Sequence, residues 1–347
     1  MFYFTNEIVF AGHPDKVCDQ ISDALLDAYM KYDKFTRAGI EVVGGKGKIF
    51  ITGEVTSNTD VDVEAVVKKV LKTRGYNENK YEIINNLGKQ SNDIARGVDA
   101  GGAGDQGMMW GFACNDTKRY LRTAQCILQD FAALYEQARI VNKDLYSDGK
   151  AQITARYDDD WKLLEIKDFV ISYQNAEEDR ENTDNLVMKL ALNVCKKYNV
   201  KVKNMNIIIN PTGKFEKGGF DADAGLTGRK IVVDSYQGFC HVGGGAFSGK
   251  DPSKVDRSAA YKARQLAIRY LKDFNLKWCE VQLSYAIGMD KPMAIYINSD
   301  KGKIKAKPEL YDECTPKRII EDLDLYCTKF EQTAMFGHFT GRNKWEM

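Results

Sequence analysis

The hydrophobic positions in the first third of the chain recur first at helical and then at strand spacing. After Pro14, apolar residues return every three or four positions, which predicts an amphipathic helix; they are Val17, Ile21, Ala24, Leu25 and Ala28. Two short strand-like runs follow at residues 39–43 and 48–55. A second helical pattern covers residues 61–73, and residues 81–84 predict a third strand. The predicted order is helix, strand, strand, helix, strand.

Similar patterns return in the middle of the chain and in the last third. In the middle, we predict a helix, two strands around an acidic turn, a helix and a strand, at residues 120–140, 151–157, 162–173, 185–198 and 206–209. In the last third, the same order is expected. We predict a helix at residues 252–274, a hairpin of two strands at 280–287 and 293–298, and a helix at 316–326.

This recurrence predicts three related units of the α/β class, in the α+β sense. Hairpins join many of the strands, which indicates mixed, mainly antiparallel sheets. A chain of 347 residues is also longer than one hydrophobic core supports, so two or three domains are expected. Similar order can arise by chance in any α/β chain, and the pattern alone leaves that alternative open.

The composition is that of an ordinary globular protein, and it argues against two classes of partner. Hydrophobic residues make up 44% and charged residues 29% of the chain. The formal net charge of +1 creates no extended field to attract nucleic acid or an anionic membrane. No segment reaches the apolar length of a membrane span, and the first residues lack the features of a signal peptide. We therefore predict a cytoplasmic protein with no nucleic-acid or membrane partner.

The cysteines and histidines argue against disulfide and zinc sites. The eight cysteines form no CxxC pair, so free thiols in a reducing compartment are expected. The three histidines, His13, His241 and His338, do not favour a polyhistidine zinc site.

The segment GHPDK at residues 12–16 combines a helix start with residue types that bind anions. Proline suits the first helical turn because its missing N–H is not needed there. His13, Asp15 and Lys16 would then lie at a helix N-terminus, where phosphate oxygens bind, and Asp15 could hold a cation that bridges phosphates. An ordinary helix start with solvated charges is the favoured interpretation when this segment is taken alone.

Four carboxylates follow each other at a spacing of four residues on one helical face: Asp15, Asp19, Asp23 and Asp27. Like charges at this spacing repel each other. We expect a solvated face for Asp23 and Asp27, whereas a metal or a basic partner near Asp15 would relieve the first pair.

Residues 101–107 form a glycine-rich segment with polar side chains inside it. Four glycines in seven residues permit left-handed backbone and the close approach of a ligand. A surface turn is the alternative. Asp105 and Gln106 directly before an apolar run are unusual for a plain connector.

Two more glycine-containing stretches carry positive charge, one at Lys214 and Phe215 and the other at Arg229 and Lys230. The three cations lie beside flexible backbone, as in an anion site. Phe215 could stack on a purine, although most phenylalanines fill a core.

The densest signal is a run of three glycines followed by a basic helix start. Asp251 and Pro252 predict the N-cap and first turn of the next helix. Lys250 and Lys254 lie near that turn, where positive charge is unfavourable to the helix unless a polyanion binds there. Asp256 is a second candidate metal carboxylate.

Residues 244–250 also fit G-x-x-x-x-G-K, the beginning of a P-loop. The next residue of a P-loop is Ser or Thr, whose hydroxyl binds Mg²⁺, but here it is Asp251. A carboxylate at this position and the lack of a parallel βαβ pattern argue against a P-loop, and an NTPase or kinase of that kind stays an alternative.

Four motifs carry a resemblance to a known family: GHPDK at 12–16, GAGDQG at 102–107, GLTGRK at 225–230 and GGGAFSGKDPSKVDRSAAY at 243–261. Together they resemble the motifs of the methionine adenosyltransferase (S-adenosylmethionine synthetase) family. Weaker similarity extends over nearly the whole chain, with ITGEVT, GKQS and GHF at residues 51–56, 88–91 and 337–339.

The resemblance implies a fold, an assembly and a reaction. The fold would be three similar α/β domains in a pseudo-threefold arrangement, with approximate units at residues 1–92, 103–218 and 219–347. The assembly would be a homodimer or homotetramer whose active sites are shared between subunits. The reaction would join ATP and L-methionine to give S-adenosylmethionine, after which the triphosphate is hydrolysed to phosphate and pyrophosphate.

The resemblance also implies roles for individual residues. The expected catalytic residues are His13, Lys150, Arg229, Lys250 and Lys254. The expected ATP contacts are His13, Asp148, Lys150, Lys214, Phe215, Asp223, Arg229, Lys230, Ala246 and Lys250. The expected methionine contacts are Glu54, Gln90, Asp105, Asp223 and Lys254. Two Mg²⁺ ions are expected with Asp15 and Asp256 as carboxylate ligands, and K⁺ with Glu41 as a ligand.

Three departures from the family pattern concern Ala11, Val242 and the stretch at 91–101. Many members carry a polar or acidic residue at the position of Ala11 and a histidine at the position of Val242. The stretch at 91–101, which matches a mobile loop over the active site, is shorter than in typical bacterial members, so we expect the rate rather than the reaction to differ. Besides the NTPase, a noncatalytic nucleotide-binding subunit and a scaffold without a ligand stay as alternatives.

Overall fold

Three four-stranded sheets carry the fold in the part of the chain that the computed structural model describes, residues 1–89, 102–176 and 180–347. The strands are β1 Phe2–Val9, β2 Arg37–Gly45, β3 Lys48–Thr56, β4 Glu82–Gly88, β5 Gly107–Cys114, β6 Leu145–Tyr157, β7 Leu163–Asn175, β8 Asn206–Ile209, β9 Gly225–Leu226, β10 Trp278–Tyr285, β11 Ala294–Ser299 and β12 Gly302–Ile304. The helices are α1 Pro14–Met30, α2 Val63–Thr73, α3 Thr123–Val141, α4 Arg180–Lys197, α5 Ile231–Asp234, α6 Val255–Asp273, α7 Pro308–Glu313 and α8 Pro316–Asp322.

The same strand order occurs in all three sheets: β4-β3-β2-β9, β8-β7-β6-β1 and β12-β11-β10-β5. Each sheet contains three strands that are consecutive in the chain, and a fourth strand from elsewhere pairs antiparallel with the first of them. The pairs β3–β4 and β7–β8 are parallel, as a crossover through α2 or α4 allows, and the other pairs are antiparallel. The predicted fold class, three similar α/β units with mixed, mainly antiparallel sheets, is confirmed.

The last unit departs from the predicted order of elements. β12 follows β11 through a two-residue turn at Asp300 and Lys301, without a helix between them. A connection this short permits only antiparallel pairing. The expected second helix therefore comes after the last strand. It ends at Asp322, before the predicted end at residue 326, and a separate 3₁₀ turn covers Leu325–Cys327.

The sequence patterns do not predict the strands that complete the three sheets. β9 has only two residues, and β5 is a nearly continuous apolar run whose period is not that of an alternating strand. Both strands, like β1, pair with partners far away in the sequence. Because the sheets combine strands from different thirds, the unit boundaries at 1–92, 103–218 and 219–347 stay a prediction.

In the described part of the chain, the helices bury their apolar stripes against the sheets in two hydrophobic clusters. α1 packs on β2, and α6 packs on β5 and β10. Their buried side chains, among them Leu25 and Leu266, belong to the first cluster. The second cluster lies between α3, α4 and the sheet of β6, where Phe131 contacts Phe169 edge to face. The N-terminal ends of α1 and α6 are thereby held in fixed positions.

The expectation that Asp23 and Asp27 form a solvated face of α1 is wrong. Asp23 is completely buried and pairs with Arg257 of α6. Asp27 is mostly buried and accepts hydrogen bonds from the backbone N–H groups of Phe330 and Glu331. Burial raises the pKa of Asp27 to about 7. Spacing along the helix cannot reveal these partners, since they come from the other end of the chain.

Within the described segments, no helix combines the length and the apolar composition that crossing a bilayer requires. All eight cysteines lie in those segments, and each is unpaired.

Candidate active site

His13 caps the N-terminus of α1. Its backbone is extended, and Nδ1 accepts a hydrogen bond from the N–H of Asp15 at 3.2 Å. Burial, together with the positive charges of Lys230 and Lys150, lowers the pKa of His13 to about 3. The imidazole is therefore neutral near pH 7. Because Nδ1 is the acceptor, the ring proton lies on Nε2, which can donate a hydrogen bond.

Asp15 lies in the first turn of α1 and is tied to the segment that begins with β9. The N–H of Leu226 donates to Asp15 Oδ1 at 2.9 Å, Lys230 Nζ bonds Oδ2, and Arg229 Nε lies 3.7 Å from Oδ1. Burial acts to raise the pKa of Asp15, but the bonds from Lys230 and Leu226 outweigh it and lower the pKa. The carboxylate is thus ionised beside two cations. Gly225 permits this approach, since a Cβ there would lie 2.3 Å from the carbonyl carbon of Pro14.

Asp148 and Lys150 reach the same place from β6. Lys150 is opposite Val9, the last residue of β1, so β6 runs beside the connection that leads into α1. Asp148 Oδ2 accepts a hydrogen bond from the N–H of Gly219 at 2.7 Å. Burial raises the pKa of Asp148 to about 6, although the bonds from Gly219 and Gly149 act in the opposite direction.

Asp223 completes this group, because its negative charge acts on both His13 and Asp148. Lys214 is exposed and pairs with Glu216 at 3.0 Å. Phe215 is half-buried and belongs to neither hydrophobic cluster of the described residues, so it is not a core phenylalanine. We call the following residues the α1 cluster: His13, Asp15, Asp148, Lys150, Asp223, Arg229 and Lys230.

Lys16 does not point toward a ligand at the helix N-terminus, in contrast to the prediction. Its Nζ is buried and donates to Asp234 at 2.7 Å and to Asp19 Oδ2 at 3.1 Å. The N–H of Gly228 donates to the other oxygen of Asp19 at 2.8 Å. The lysine of the GHPDK motif therefore joins α1 to the segment around α5, and it has a structural role.

A second group of the predicted residues lines one pocket of about 530 Å³. This pocket lies where β2 and β3 approach the loop before α6, and Gly39 of β2 forms an isolated bridge with Lys250 of that loop. The apolar side chain of Ile287 also lines it. The residues of this pocket group are Glu41, Glu54, Asp105, Ala246, Lys250, Lys254 and Asp256.

The lysines of the pocket group are each paired with a carboxylate. Lys250 Nζ lies 2.5 Å from Asp256 Oδ2, and Lys254 Nζ lies 3.0 Å from Asp251 Oδ2. The predicted N-cap at Asp251 is wrong: α6 begins at Val255, and Lys254 occupies the N-cap position. Asp251 is buried and instead accepts the N–H of Ala38, which attaches the loop to β2.

The glycine run before α6 allows the loop to lie against two elements at once. A Cβ on Gly243 would lie 2.3 Å from the carbonyl oxygen of Met108 in β5. A Cβ on Gly245 would lie 2.1 Å from the carboxyl carbon of Asp256. The glycines are therefore required for packing against β5 and around Asp256.

Apart from Lys214 and Phe215, the predicted site residues that the structure describes belong to the α1 cluster or to the pocket group. The two predicted Mg²⁺ ligands, Asp15 and Asp256, are in different groups and contact different lysines. The two groups approach each other where a Cβ on Gly228 would lie 2.5 Å from that of Ala246. Among the described residues, no three acidic, histidine or cysteine side chains converge as metal ligands. Gln90 and the stretch at 91–101 lie outside the described residues.

Several residues that hold the site are not found by sequence reasoning. Arg257 donates to the carbonyl of Lys250, and Tyr76 donates to the carbonyl of Gly12. Arg257 stands inside the longest motif, yet its charge alone favours solvent. Only its complete burial identifies it as a partner of the loop.

Comparison with known families covers almost the whole chain. The model of the S-adenosylmethionine synthetase N-terminal domain matches residues 1–95, that of the central domain matches 100–215, and that of the C-terminal domain matches 217–347. The chain belongs to the S-adenosylmethionine synthetase family.

Full-length relatives agree with this assignment to the S-adenosylmethionine synthetase family. The S-adenosylmethionine synthase of Mycoplasmopsis pulmonis is 44% identical over 350 residues, which cover 97% of this chain and 93% of that protein. The S-adenosylmethionine synthase of Helicobacter pylori is 40% identical, with 97% of this chain and 93% of that protein covered. That of Clostridium tetani is 39% identical, with 99% and 95% covered. The family predicted from the motifs is confirmed.

The P-loop interpretation is rejected on structural grounds as well. The glycine run packs against antiparallel β5, and α6 follows it without a parallel βαβ unit. Asp251, at the position of the P-loop hydroxyl, is completely buried and bonded to Ala38, Ser253 and Lys254. It cannot take the place of a hydroxyl ligand to Mg²⁺.

Proposed function

We propose that this chain synthesises S-adenosylmethionine from ATP and L-methionine, with the α1 cluster and the pocket group as the two parts of its active site. The predicted enzyme class, a transferase, is confirmed by relatives that match nearly the full chain and bear the name S-adenosylmethionine synthase. The main support for an active site in two parts is that seven of the predicted residues line one pocket of about 530 Å³.

The chemistry needs no general base in this site. The sulfur of methionine is neutral and has a free lone pair, which forms the bond to C5′ of the ribose. The electrons of the broken C5′–O5′ bond leave with the triphosphate, so positive charge develops at sulfur and negative charge at the leaving oxygen. A site that aligns the two reactants and stabilises the leaving charge suffices.

The side chains of the α1 cluster suit the leaving triphosphate. Neutral His13 offers an N–H donor at the helix N-terminus, where backbone dipoles also favour negative charge. Lys150, Arg229 and Lys230 add three cations around it. The same cations would stabilise the triphosphate during its hydrolysis to pyrophosphate and phosphate, the second step that we propose.

The pocket group suits methionine and part of the polyanion. Glu54 and Asp105 provide carboxylates for the amino group of methionine, and Lys254 provides a cation for its carboxylate. Ile287 gives the pocket an apolar wall beside which a thioether can lie. Lys250, at the N-terminal side of α6, is placed to meet phosphate oxygens.

We also propose that one complete site combines the α1 cluster of one subunit with the pocket group of another, in a homodimer or homotetramer. The assignment of Asp15 and Asp256 to different groups, where each pairs with a different lysine, supports this arrangement. Exposed apolar side chains on the sheets support it too: Val43 is 38% and Met108 is 58% exposed. Val43 lies two residues after Glu41 on the same face of β2, beside the pocket group.

The residues present fit Mg²⁺ and K⁺, which the family implies. Asp15 and Asp256 offer hard carboxylate oxygens, and Mg²⁺ in nucleotide sites takes one or two carboxylates together with phosphate oxygens and water. Glu41 offers an exposed carboxylate at the pocket for K⁺. When bound, these ions supply positive charge that neutralises the phosphate oxygens. A cytoplasmic location stays a prediction.

The direct test is to incubate the purified protein with ATP, L-methionine, Mg²⁺ and K⁺ and to follow products by mass spectrometry. We expect S-adenosylmethionine together with phosphate and pyrophosphate, and no product without methionine. Binding of ATP without product would instead support a noncatalytic subunit, and phosphate release without methionine would support an NTPase.

A further inference from the structure

The hydroxyl of Tyr76, three residues after the end of α2, lies between the two backbone segments that carry the α1 cluster. It donates a hydrogen bond to the carbonyl of Gly12 at 2.7 Å, directly before His13. A Cβ on Gly219 would lie 2.6 Å from the same hydroxyl, and the N–H of Gly219 bonds Asp148. Tyr76 thus contacts the neighbours of both residues.

The turn at residues 74–76 makes a second contact with the same region. The carbonyl of Arg74 accepts a hydrogen bond from the hydroxyl of Ser147, which directly precedes Asp148. The guanidinium of Arg74 is buried and bonds Glu136 of α3, and Arg139 bonds the other oxygen of Glu136 at 2.7 Å. The turn is therefore anchored to a helix of another unit and cannot shift freely.

The aromatic surroundings hold the Tyr76 ring in place. Its centroid lies 5.3 Å from that of Phe220 and 6.2 Å from that of Tyr81. Burial raises the pKa of Tyr76 well above its usual value, so the hydroxyl stays protonated and acts as a donor. A rigid ring that donates to Gly12 and packs beside Gly219 restrains the distance between these two residues.

We infer that Tyr76 is a positioning residue for nucleotide binding, and that the turn at 74–76 sets the position of His13 relative to Asp148. The inference rests on the proposed function, in which His13 and Asp148 both contact ATP. Small displacements of groups that bind or align a substrate reduce affinity and rate steeply. The hydroxyl bonds the backbone directly before His13 and packs beside Gly219, which bonds Asp148, so its loss removes the bond through which Tyr76 ties the two segments together.

The test is Tyr76→Phe, which removes only the hydroxyl and keeps the ring packed on Phe220. We expect the Kd for a non-hydrolysable ATP analogue, measured by calorimetry without methionine, to rise roughly tenfold with unchanged stoichiometry. KM for methionine should stay within about twofold of the wild-type value. The reason is that most of the residues expected to contact methionine, among those the structure describes, belong to the pocket group. A merely structural role would lower the fraction of active protein without changing Kd.

Two further variants make the outcome decisive. Tyr81 belongs to the same aromatic group, but its hydroxyl does not bond Gly12. Tyr81→Phe is therefore the control, and it should leave the Kd unchanged. Ser147→Ala removes the second contact of the turn and should also weaken binding of the analogue, which provides a test if Tyr76→Phe does not fold. Wild-type Kd values in both Tyr76→Phe and Ser147→Ala would overturn the inference. Failure of the wild-type protein to make S-adenosylmethionine would count against the proposed function instead, since the Kd comparison needs no turnover.

Discussion

Arg257 and Asp23 form a completely buried ion pair between α6 and α1. Arg257 Nη2 lies 2.7 and 2.6 Å from the two oxygens of Asp23. The same two side chains hold the loop before α6: Arg257 donates to the carbonyl of Lys250 at 2.8 Å, and the N–H of Gly249 donates to Asp23 at 2.9 Å. The pair therefore fixes the backbone that presents Lys250 to the pocket.

Replacing Asp23 by asparagine should destabilise the fold strongly. Arg257 would stay charged and buried without a counter-charge, and breaking a buried pair in this way costs about 3–5 kcal/mol. Urea unfolding at pH 7 measures the change. Asp312→Asn is the control, because Asp312 pairs with Lys291 at the exposed surface, where a pair contributes about 1 kcal/mol or less. Equal effects of the two substitutions would contradict the role of the buried pair.

Lys254→Ala should reduce turnover, because it removes a positive charge from the proposed methionine and phosphate site. Loss of one group that stabilises developing charge lowers kcat roughly a hundredfold. Steady-state assays of S-adenosylmethionine formation measure the change, with thermal unfolding as a check that Asp251 still tolerates the loss of its partner. Lys272→Ala, at the exposed end of the same helix, should keep normal activity. Near-normal turnover in Lys254→Ala would remove this residue from the site.

Asp256→Asn should raise the concentration of Mg²⁺ that the enzyme needs. The amide keeps the shape of the side chain but loses the charge that a hard cation prefers. We expect the half-saturating Mg²⁺ concentration to rise about tenfold or more in an activity titration. Asp273→Asn, at the last residue of the same helix, controls for the general loss of one carboxylate. An unchanged titration in Asp256→Asn would exclude Asp256 as a ligand.

The buried carboxyl of Asp148 should make stability depend on pH in a defined direction. Its pKa is raised from 3.8 to about 6 by burial, so the folded state holds the proton more tightly than the unfolded state. The stabilising contribution is complete below pH 4 and is lost as the pH rises through about 6. Two pKa units correspond to about 3 kcal/mol.

Asp148→Asn should therefore gain stability relative to the wild-type protein as the pH rises from 4 to 8, by up to about 3 kcal/mol. Urea unfolding of both proteins at several pH values gives the difference. The amide oxygen can still accept the hydrogen bond from Gly219, so the comparison isolates the charge. A difference that stays constant with pH, or that grows toward pH 4, would be inconsistent with a raised pKa.

The elements with strong local patterns were predictable, and those completed by distant partners were not. The stripe from Val17 to Ala28 identifies α1 because a helix repeats its contacts every 3.6 residues. The hairpin of β10 and β11 is predictable for a similar reason, because side chains in a strand return to the same face every two residues. β9, with two residues, has no period at all and exists only because β2 supplies its hydrogen-bond partners.

The candidate site follows the same division. The motifs placed His13 and Asp15 at the N-terminal part of α1, whereas α6 begins at Val255 and not at Pro252 as predicted, so that Lys250 lies in the loop before it. They did not predict that Lys16 is buried and pairs with Asp234 instead of facing a ligand. The partners are 218 positions apart, so local sequence contains no sign of the pairing.

The sequence by itself determined the family, the secondary-structure pattern of α1, β2, β3 and their equivalents, and the types of charged groups in the site. These depend on local periodicity and on motifs of a few residues. Only the tertiary structure decided which charges face the pocket and which are internal, as for Lys254 and Arg257 three residues apart on adjacent turns. The physical reason is that the protonation, pairing and burial of a charge depend on groups brought together by folding, and Asp23 meets Arg257 across 234 positions of the chain.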